Sequence, residues 1–262
     1  MKIKHYLYNA FLIENGNTKI AIDPGQNLWM LKLSSLIPKT EWGNITHIFI
    51  THGDPDHHWQ SDRVAEASRA HVICGKEMTK TENGKTLIID PRGKELTSWI
   101  SFKNVHPMEV GDKTTLGELK IEAIKSVHGP IVVPIFGFTK KKYPGPEERT
   151  GLGSMGFKMT IDGKTIINLG DSLLQKEWEG LKPDVLMLPI GGAGENIWTM
   201  DVTDALEAVK LISPKKVIPC HYNVSFFWIK NLNPADDLFF KREVEKMGIE
   251  CSVMKYGDEI II

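Results

Sequence analysis

Polar residues are concentrated in one segment of this chain, Thr51-His52-Gly53-Asp54-Pro55-Asp56-His57-His58. It follows an apolar run over 45–51 that is typical of a strand, and a helical pattern over 60–70 comes after it. The stretch therefore lies on a loop between a strand and a helix. Three histidines and two carboxylates within one such loop are more than a surface turn needs.

The spacing of these polar residues predicts that they converge. In an extended loop, residues i, i+2 and i+4 point to one side, so we expect His52, Asp54 and Asp56 to share a face. The turn into the helix can bring His57 alongside them. Neutral imidazole and ionised carboxylate are the ligands that zinc, iron and manganese accept in proteins.

Three later residues complete a candidate ligand set, and each follows a β-like run. They are His128 in Ser126-Val127-His128-Gly129, Asp171 in Asn168-Leu169-Gly170-Asp171-Ser172, and His221 in Ile218-Pro219-Cys220-His221-Tyr222. Strand ends are where a β-rich protein can bring distant side chains together. The sequence therefore predicts one site with contributions from four separated loops.

This pattern resembles the metallo-β-lactamase superfamily, in which an HxHxDH loop is followed by a His, then by an Asp after a Gly, then by a His. The resemblance spans nearly the whole chain. It implies an α/β (α+β) fold, a four-layer αββα sandwich of two mixed β-sheets flanked by helices. The segments 22–25, 189–192 and 214–222 further resemble the branch that contains ascorbate-6-phosphate lactonase.

The resemblance also implies two divalent metal ions, zinc, manganese or iron. By this resemblance His52, Asp54 and His128 hold the first ion, Asp56, His57 and His221 hold the second, and Asp171 bridges them. Asp54 stands where the superfamily pattern has a histidine, so it is either a direct ligand or a carboxylate that orients His52. Flavo-diiron proteins of the same superfamily carry a glutamate at this position.

The expected activity is hydrolysis of a small ester, lactone or phosphoester by a hydroxide that the two metals activate, with Asp56 and His57 as the catalytic pair. Three carboxylates at the metals should favour iron or manganese over zinc. Two alternatives stay open: a metal-dependent nuclease or phosphodiesterase, and a non-hydrolytic di-iron redox or sensor protein. The balance of 32 Lys plus Arg against 33 Asp plus Glu makes nucleic acid an improbable partner.

Length and element order predict a single domain over residues 1–262. At 41% apolar content the chain can bury a large core. The patterns predict β-runs and helices as follows. The β-runs are 3–13, 18–23, 71–74, 86–89, 102–106, 113–116, 119–127, 154–161, 164–169, 184–188, 216–219, 250–254 and 258–262, and the further helices are 201–212 and 235–247.

Cysteine usage and the first residues indicate a cytoplasmic protein. The resemblance implies a small-molecule substrate, with an anionic one as an open alternative, and a homo-oligomer is an open expectation. Cys74, Cys220 and Cys251 are an odd, widely spaced set without a CxxC pair. The start lacks the apolar core of a signal peptide, and no 18-residue apolar run occurs, so no membrane association is expected.

Several side chains near the motifs have two interpretations each. His58 either reaches the site or faces solvent and Trp59. The basic run over 140–142 with Arg149 is either a solvated surface loop or a lid for an anionic substrate. Tyr222 and Asn223 either touch substrate or support the fold. Five aromatic residues form either an apolar wall for an acyl or sugar group or part of the core or a subunit interface, namely Trp29, Trp198, Phe226, Phe227 and Trp228. The histidines expected to be hydrogen-bonded structural residues are His5, His47, His71 and His106.

Overall fold

A computed structural model describes the fold of most of the chain. The described residues are 1–27, 34–82, 85–88, 100–101, 104–135, 138–145, 147–148, 150–192, 197–224, 231 and 233–262. They form two compact units. The first comprises Met1–Glu109, Gly145–Gly153 and Lys255–Ile262, and the second comprises Val110–Pro144 and Ser154–Met254.

Strands and helices are numbered here in chain order. The strands are β1 Lys2–His5, β2 Phe11–Asn15, β3 Thr18–Ile22, β4 Gln26–Asn27, β5 Ser34–Ser35, β6 His47–Ile50, β7 His71–Gly75, β8 Thr79–Glu82, β9 Lys85–Ile88, β10 Ile100–Ser101, β11 Val105–Met108, β12 Lys113–Leu116, β13 Leu119–Lys125, β14 Ile131–Ile135, β15 Phe138–Lys142, β16 Met155–Ile161, β17 Lys164–Asn168, β18 Val185–Pro189, β19 Lys216–Cys220, β20 Glu250–Cys251 and β21 Glu259–Ile261. The helices are α1 Pro55–His58, α2 Ser61–Ser68, α3 Val202–Ile212 and α4 Asp237–Lys246, with short 3-10 helices at Lys39–Asn44, Lys76–Met78 and Lys176–Trp178.

The first unit is built on a seven-stranded mixed sheet of order β11-β7-β6-β3-β2-β1-β21. The strands β3, β6, β7 and β11 run parallel, and β6 is buried along its whole length, as expected for a central strand covered on both faces. Register pairs Ile22 with Phe49, so the carboxyl ends of β3 and β6 lie side by side. The loops that follow these two strands therefore begin next to each other.

The second unit carries another seven-stranded mixed sheet, of order β12-β13-β16-β17-β18-β19-β20. Its strands from β17 to β20 are parallel. Helices α3 and α4 pack beside each other, and each begins at an aspartate whose side chain accepts a backbone N–H: Asp201 from Asp204 at 2.9 Å and Asp236 from Phe239 at 2.8 Å. The buried core of this unit includes Trp178 and Phe240.

Two large mixed sheets with few helices confirm the predicted α/β class, but some local predictions were wrong. The run predicted over 3–13 is broken after His5, because a tight turn closes with the Tyr6 N–H donating to Ala10 O at 2.9 Å and Tyr8 adopting a φ of 55°. The basic residues 140–142, expected in a surface loop, continue β15 in a two-stranded ribbon with β14. The single-domain prediction stays a prediction.

All three cysteines, Cys74, Cys220 and Cys251, are free and buried. Burial raises the pKa of the Cys74 and Cys251 thiols to about 12 in each case, so both stay protonated and unreactive at neutral pH. Among the described residues, no helix has the length and apolar character needed to cross a bilayer.

Helix α4 offers a direct test of core packing in the second unit. Phe240 is fully buried, whereas Leu238 on the same helix is 70% exposed. We expect Phe240→Ala to lower the free energy of unfolding by about 3–5 kcal/mol, since it leaves a cavity in the core. The control, Leu238→Ala, should change it by less than about 0.5 kcal/mol. Equal effects in urea denaturation would show that α4 does not pack as described.

Candidate metal centre

The buried carboxylate of Asp23, directly after β3, organises the polar loop of the first unit. Asp23 is fully buried, and four donors surround it. Its Oδ1 accepts the Thr51 backbone N–H at 2.7 Å, and its Oδ2 accepts the Thr51 hydroxyl at 2.6 Å and the Asn9 amide at 2.6 Å. Its Oδ2 also lies 2.7 Å from His57 Nδ1. These donors offset the desolvation of the buried charge.

This network fixes which ring nitrogens of the two loop histidines carry the proton. A carboxylate only accepts, so His57 donates its Nδ1–H to Asp23. The Thr51 hydroxyl gives its own proton to Asp23, so at 3.1 Å it accepts from His52 Nδ1–H. When these rings are neutral, Nε2 carries the lone pair, as it does in metal-binding histidines whose Nδ1–H is held by a hydrogen-bond acceptor.

Each of these Nε2 atoms faces a carboxylate oxygen of the same loop. His52 Nε2 lies 3.5 Å from Asp54 Oδ2, and His57 Nε2 lies 3.4 Å from Asp56 Oδ2. A nitrogen lone pair opposite an anionic oxygen is repulsive unless a cation is shared between them. The first unit therefore holds donors of the type and spacing that suit a divalent metal.

Backbone contacts from two other segments hold this loop in place. The Gly151 N–H donates to Asp54 Oδ1 at 2.9 Å, which leaves Oδ2 for the side facing His52. Gly25 is packed so tightly that a Cβ there would lie 1.9 Å from the Asp56 carbonyl oxygen. Only glycine fits at position 25, and the corner after β3 therefore shapes the loop sterically as well as electrostatically.

The second unit carries a matching set of buried side chains at its own strand ends. His128, Asp171 and His221 are each less than 10% exposed. His221 follows β19 and adopts a φ of 55°, and its Nε2 lies 3.1 Å from Asp171 Oδ2. The Nδ1 of His128 donates to the Gly129 carbonyl oxygen at 2.6 Å, so the Nε2 of His128 also carries a lone pair.

Hydrogen bonds from neighbouring residues hold His128, Asp171 and His221 in position. The Asn233 amide donates to the His221 carbonyl oxygen at 2.7 Å and lies 3.2 Å from His221 Nδ1. The Val127 N–H donates to the Ser172 hydroxyl at 3.0 Å, which joins the neighbours of His128 and Asp171. The second unit thus presents two imidazoles and a carboxylate on fixed backbone.

The seven residues singled out from the sequence thus fall into two sets. His52, Asp54, Asp56 and His57 converge in the first unit, and His128, Asp171 and His221 occupy strand ends of the second. Sequence analysis missed the supporting residues Asp23, Thr51 and Asn233. A carboxylate at the end of an apolar strand before Pro-Gly was an available signal for Asp23, whereas nothing local marks Asn233.

Several residues with two interpretations lie among the described residues. His58 is fully buried and lies 3.2 Å from the Ser61 hydroxyl. Burial raises the pKa of Tyr222, and the nearby Asp237 carboxylate adds to this rise. Asn223 pairs with the backbone of Ala235, accepting at 3.0 Å and donating at 2.9 Å. Trp198 is half-buried. The interpretations of Arg149, Trp29, Phe226, Phe227 and Trp228 lie outside the described residues.

Comparison with known proteins identifies the family. A family model described as Beta-lactamase superfamily domain matches residues 2–221. A protein named UPF0173 metal-dependent hydrolase from Nanoarchaeum equitans is 31% identical over an alignment of 264 residues, covering 99% of each chain. One of the same name from Alkaliphilus metalliredigens is 31% identical over 226 residues, covering 85% of this chain and 86% of its own. The chain belongs to the UPF0173 metal-dependent hydrolase family, within the beta-lactamase superfamily.

The membership confirms the enzyme class predicted from the sequence, a metal-dependent hydrolase. Igni18, described as a novel metallo hydrolase from the archaeon Ignicoccus hospitalis, superposes with a TM-score of 0.70 at 24% identity, covering 99% of this chain and 97% of its own. That likeness shows the fold. The imidazole and carboxylate clusters of both units give the family's metal dependence a physical basis in this chain.

Replacing Asp23 tests the supporting shell. We expect Asp23→Asn to weaken metal binding by about ten- to a hundredfold, because the amide replaces the acceptor that fixes the His57 tautomer. The control Glu66→Gln, at an exposed position on α2, should bind metal like the wild type. Affinity is measured by titration of chelator-treated protein, and thermal unfolding reports on folding. Wild-type affinity in a folded Asp23→Asn protein would contradict the assignment.

Proposed function

We propose that the two clusters act together as one dinuclear metal site. The first ion would be held by His52, Asp54 and His128, the second by Asp56, His57 and His221, with Asp171 shared between them. The observation that carries this proposal is the repeated pairing of an imidazole Nε2 with a carboxylate oxygen at 3.1 to 3.5 Å in both units. The family's metal dependence supports it.

The proposed activity is hydrolysis of a small ester, lactone or phosphoester. When bound, two divalent ions lower the pKa of water to near neutrality and polarise the carbonyl or phosphoryl group that is attacked. The chain's own task is to hold donors, substrate and water in a fixed geometry. The most specific substrate that we propose is a lactone. This choice is supported by the sequence resemblance to the ascorbate-6-phosphate lactonase branch.

Asp56 is the residue we assign to proton handling. Its carboxylate is partly exposed, with an 18% exposed side chain, whereas His57 beside it is 1% exposed. One Asp56 oxygen faces His57 Nε2, and we assign to the Asp56 carboxylate the acceptance of a proton from the attacking water, which it also orients. His57 contributes through its position, since Asp23 prevents its ring from turning.

We assign to Asp54 a role in metal selectivity. With Asp56 and Asp171 it brings three negative charges to the site, one more than a histidine at position 54 would give. A more anionic set of oxygen donors favours iron or manganese over zinc. The Gly151 N–H bound to Asp54 Oδ1 withdraws part of that charge and holds Oδ2 toward His52.

Metal content tests the assignment of Asp54. Protein produced without metal supplementation should contain two metal ions per chain, with iron or manganese exceeding zinc, by elemental analysis. Asp54→His should raise the zinc share, because it removes one carboxylate and adds an imidazole. Stoichiometric zinc alone in the wild type would refute this metal preference.

Turnover tests the reaction. A panel of lactones, acyl esters and phosphodiesters, assayed separately with zinc, manganese and iron, should show activity toward at least one class. Asp56→Ala should lower kcat on that substrate by about 10²–10⁴-fold, because the water loses its proton acceptor. Asp62→Ala on α2 serves as the control and should retain activity. Full activity of Asp56→Ala would refute the mechanism, and inactivity of the wild type on the whole panel would count against hydrolysis of these substrates.

A further inference from the structure

Three histidines lie together on one face of the first sheet, at the amino-terminal ends of neighbouring parallel strands. Register pairs His47 of β6 with His71 of β7. It also pairs Val105 with Val72, so His106 of β11 lies on the same face as His71, two residues beyond the position opposite it. The loop of His52 follows the carboxyl end of β6, so this histidine cluster lies at the other end of the strands.

Two of these rings are in direct contact through nitrogen atoms. His71 Nδ1 lies 2.9 Å from His106 Nε2, with the ring centroids 5.0 Å apart. The third ring, His47, stacks on His71 with a centroid distance of 5.5 Å, while its Nδ1 lies 2.8 Å from the Thr46 hydroxyl. His71 and His106 are therefore in contact through ring nitrogens, and His47 stacks beside them.

The distance between His71 Nδ1 and His106 Nε2 is compatible with two nitrogen ligands on one metal ion. Metal–nitrogen bonds of about 2.0–2.1 Å at angles between square and tetrahedral place two imidazole nitrogens about 2.9–3.4 Å apart. The observed separation of 2.9 Å lies within that range. Both rings are half-buried, so solvent can reach them and water can complete the coordination.

We propose that His71 Nδ1 and His106 Nε2 form a second metal site that chelates a divalent transition ion of the copper, nickel or zinc class. Imidazole is a preferred ligand of all three ions. The site lies in the first unit, and it neither uses nor requires any residue of the dinuclear site.

Metal binding at His71 and His106 needs no added base, because neither ring has to lose a proton to solvent. In the neutral pair one ring donates N–H to the other, and each ring holds one proton in total. On metal binding the donor ring moves its proton to its outer nitrogen, so both inner nitrogens present lone pairs. Burial and the neighbouring His71 lower the pKa of His106, which keeps His106 in the neutral form at neutral pH.

Metal bound here would join an edge strand to the body of the sheet. In the described sheet β11 is at the edge and pairs with β7 alone. Edge strands are the elements most exposed to fraying and to pairing with other chains. A metal link between positions 71 and 106 would hold β11 in register, in addition to the backbone ladder.

Nickel titration of the metal-loaded protein tests the site. We expect calorimetry to show one Ni²⁺ ion bound per chain beyond the resident metals, whose retention is checked by elemental analysis. His71→Gln and His106→Gln should each weaken this binding at least tenfold, whereas the control His47→Gln should change it less than twofold. Absence of the extra ion, or equal binding in His71→Gln, would overturn the proposal.

A spectroscopic measurement on the wild type covers the case in which the variants do not fold. Substoichiometric Ni²⁺ should broaden the imidazole nitrogen signals of His71 and His106 before those of His5, which lies elsewhere in β1. Broadening that begins at other histidines, with these two unaffected, would refute the site without any substitution.

Discussion

A single buried carboxylate, that of Asp23, underlies the arrangement of the polar loop over residues 51–58. Asp23 sits at the end of β3, beside the end of β6, and accepts hydrogen bonds from the backbone and side chain of Thr51 and from His57. It therefore orients the His57 ring directly and the His52 ring through the Thr51 hydroxyl. Since the burial of a charge is costly without donors, the loop and the carboxylate stabilise each other. Neither the loop nor the Asp23 carboxylate would be held in its observed geometry without the hydrogen bonds from the other.

Most of the candidate site could be predicted because its ligands carry a chemical signature in the sequence. Histidine and aspartate clustered after an apolar strand are rare unless they bind something, and the two histidines and two aspartates at positions 52, 54, 56 and 57 do converge. The supporting residues were less visible. In the sequence Asp23 looks like a common turn residue, and its role becomes visible only when β3 and β6 are paired in parallel. The hydrogen bond from Gly151 to Asp54 joins positions that are distant in sequence. Such contacts depend on tertiary structure, which local pattern does not encode.

In the fold as well, some elements could be predicted from the hydrophobic pattern of the sequence, whereas others depend on tertiary packing. Apolar strands such as β6 and amphipathic helices such as α3 were predictable because their periodicity reflects burial. The break after His5 was not, since it depends on Tyr8 adopting a left-handed backbone conformation that its residue type does not favour. The ribbon of β14 and β15 was missed because lysines and prolines argue against a strand, yet a two-stranded ribbon exposed to water accepts both.

The first unit is assembled from three separate stretches of chain, and this has a consequence for biosynthesis. Strand β21 pairs with β1, and Gly151 holds Asp54, so the unit's sheet and its metal loop are completed by residues made long after their partners. Translation proceeds from the amino end, so the early strands must wait for those late segments before they reach native packing. The Asp54 carboxylate therefore gains its Gly151 contact only after residue 151 has been synthesised, and β1 gains its β21 partner later still.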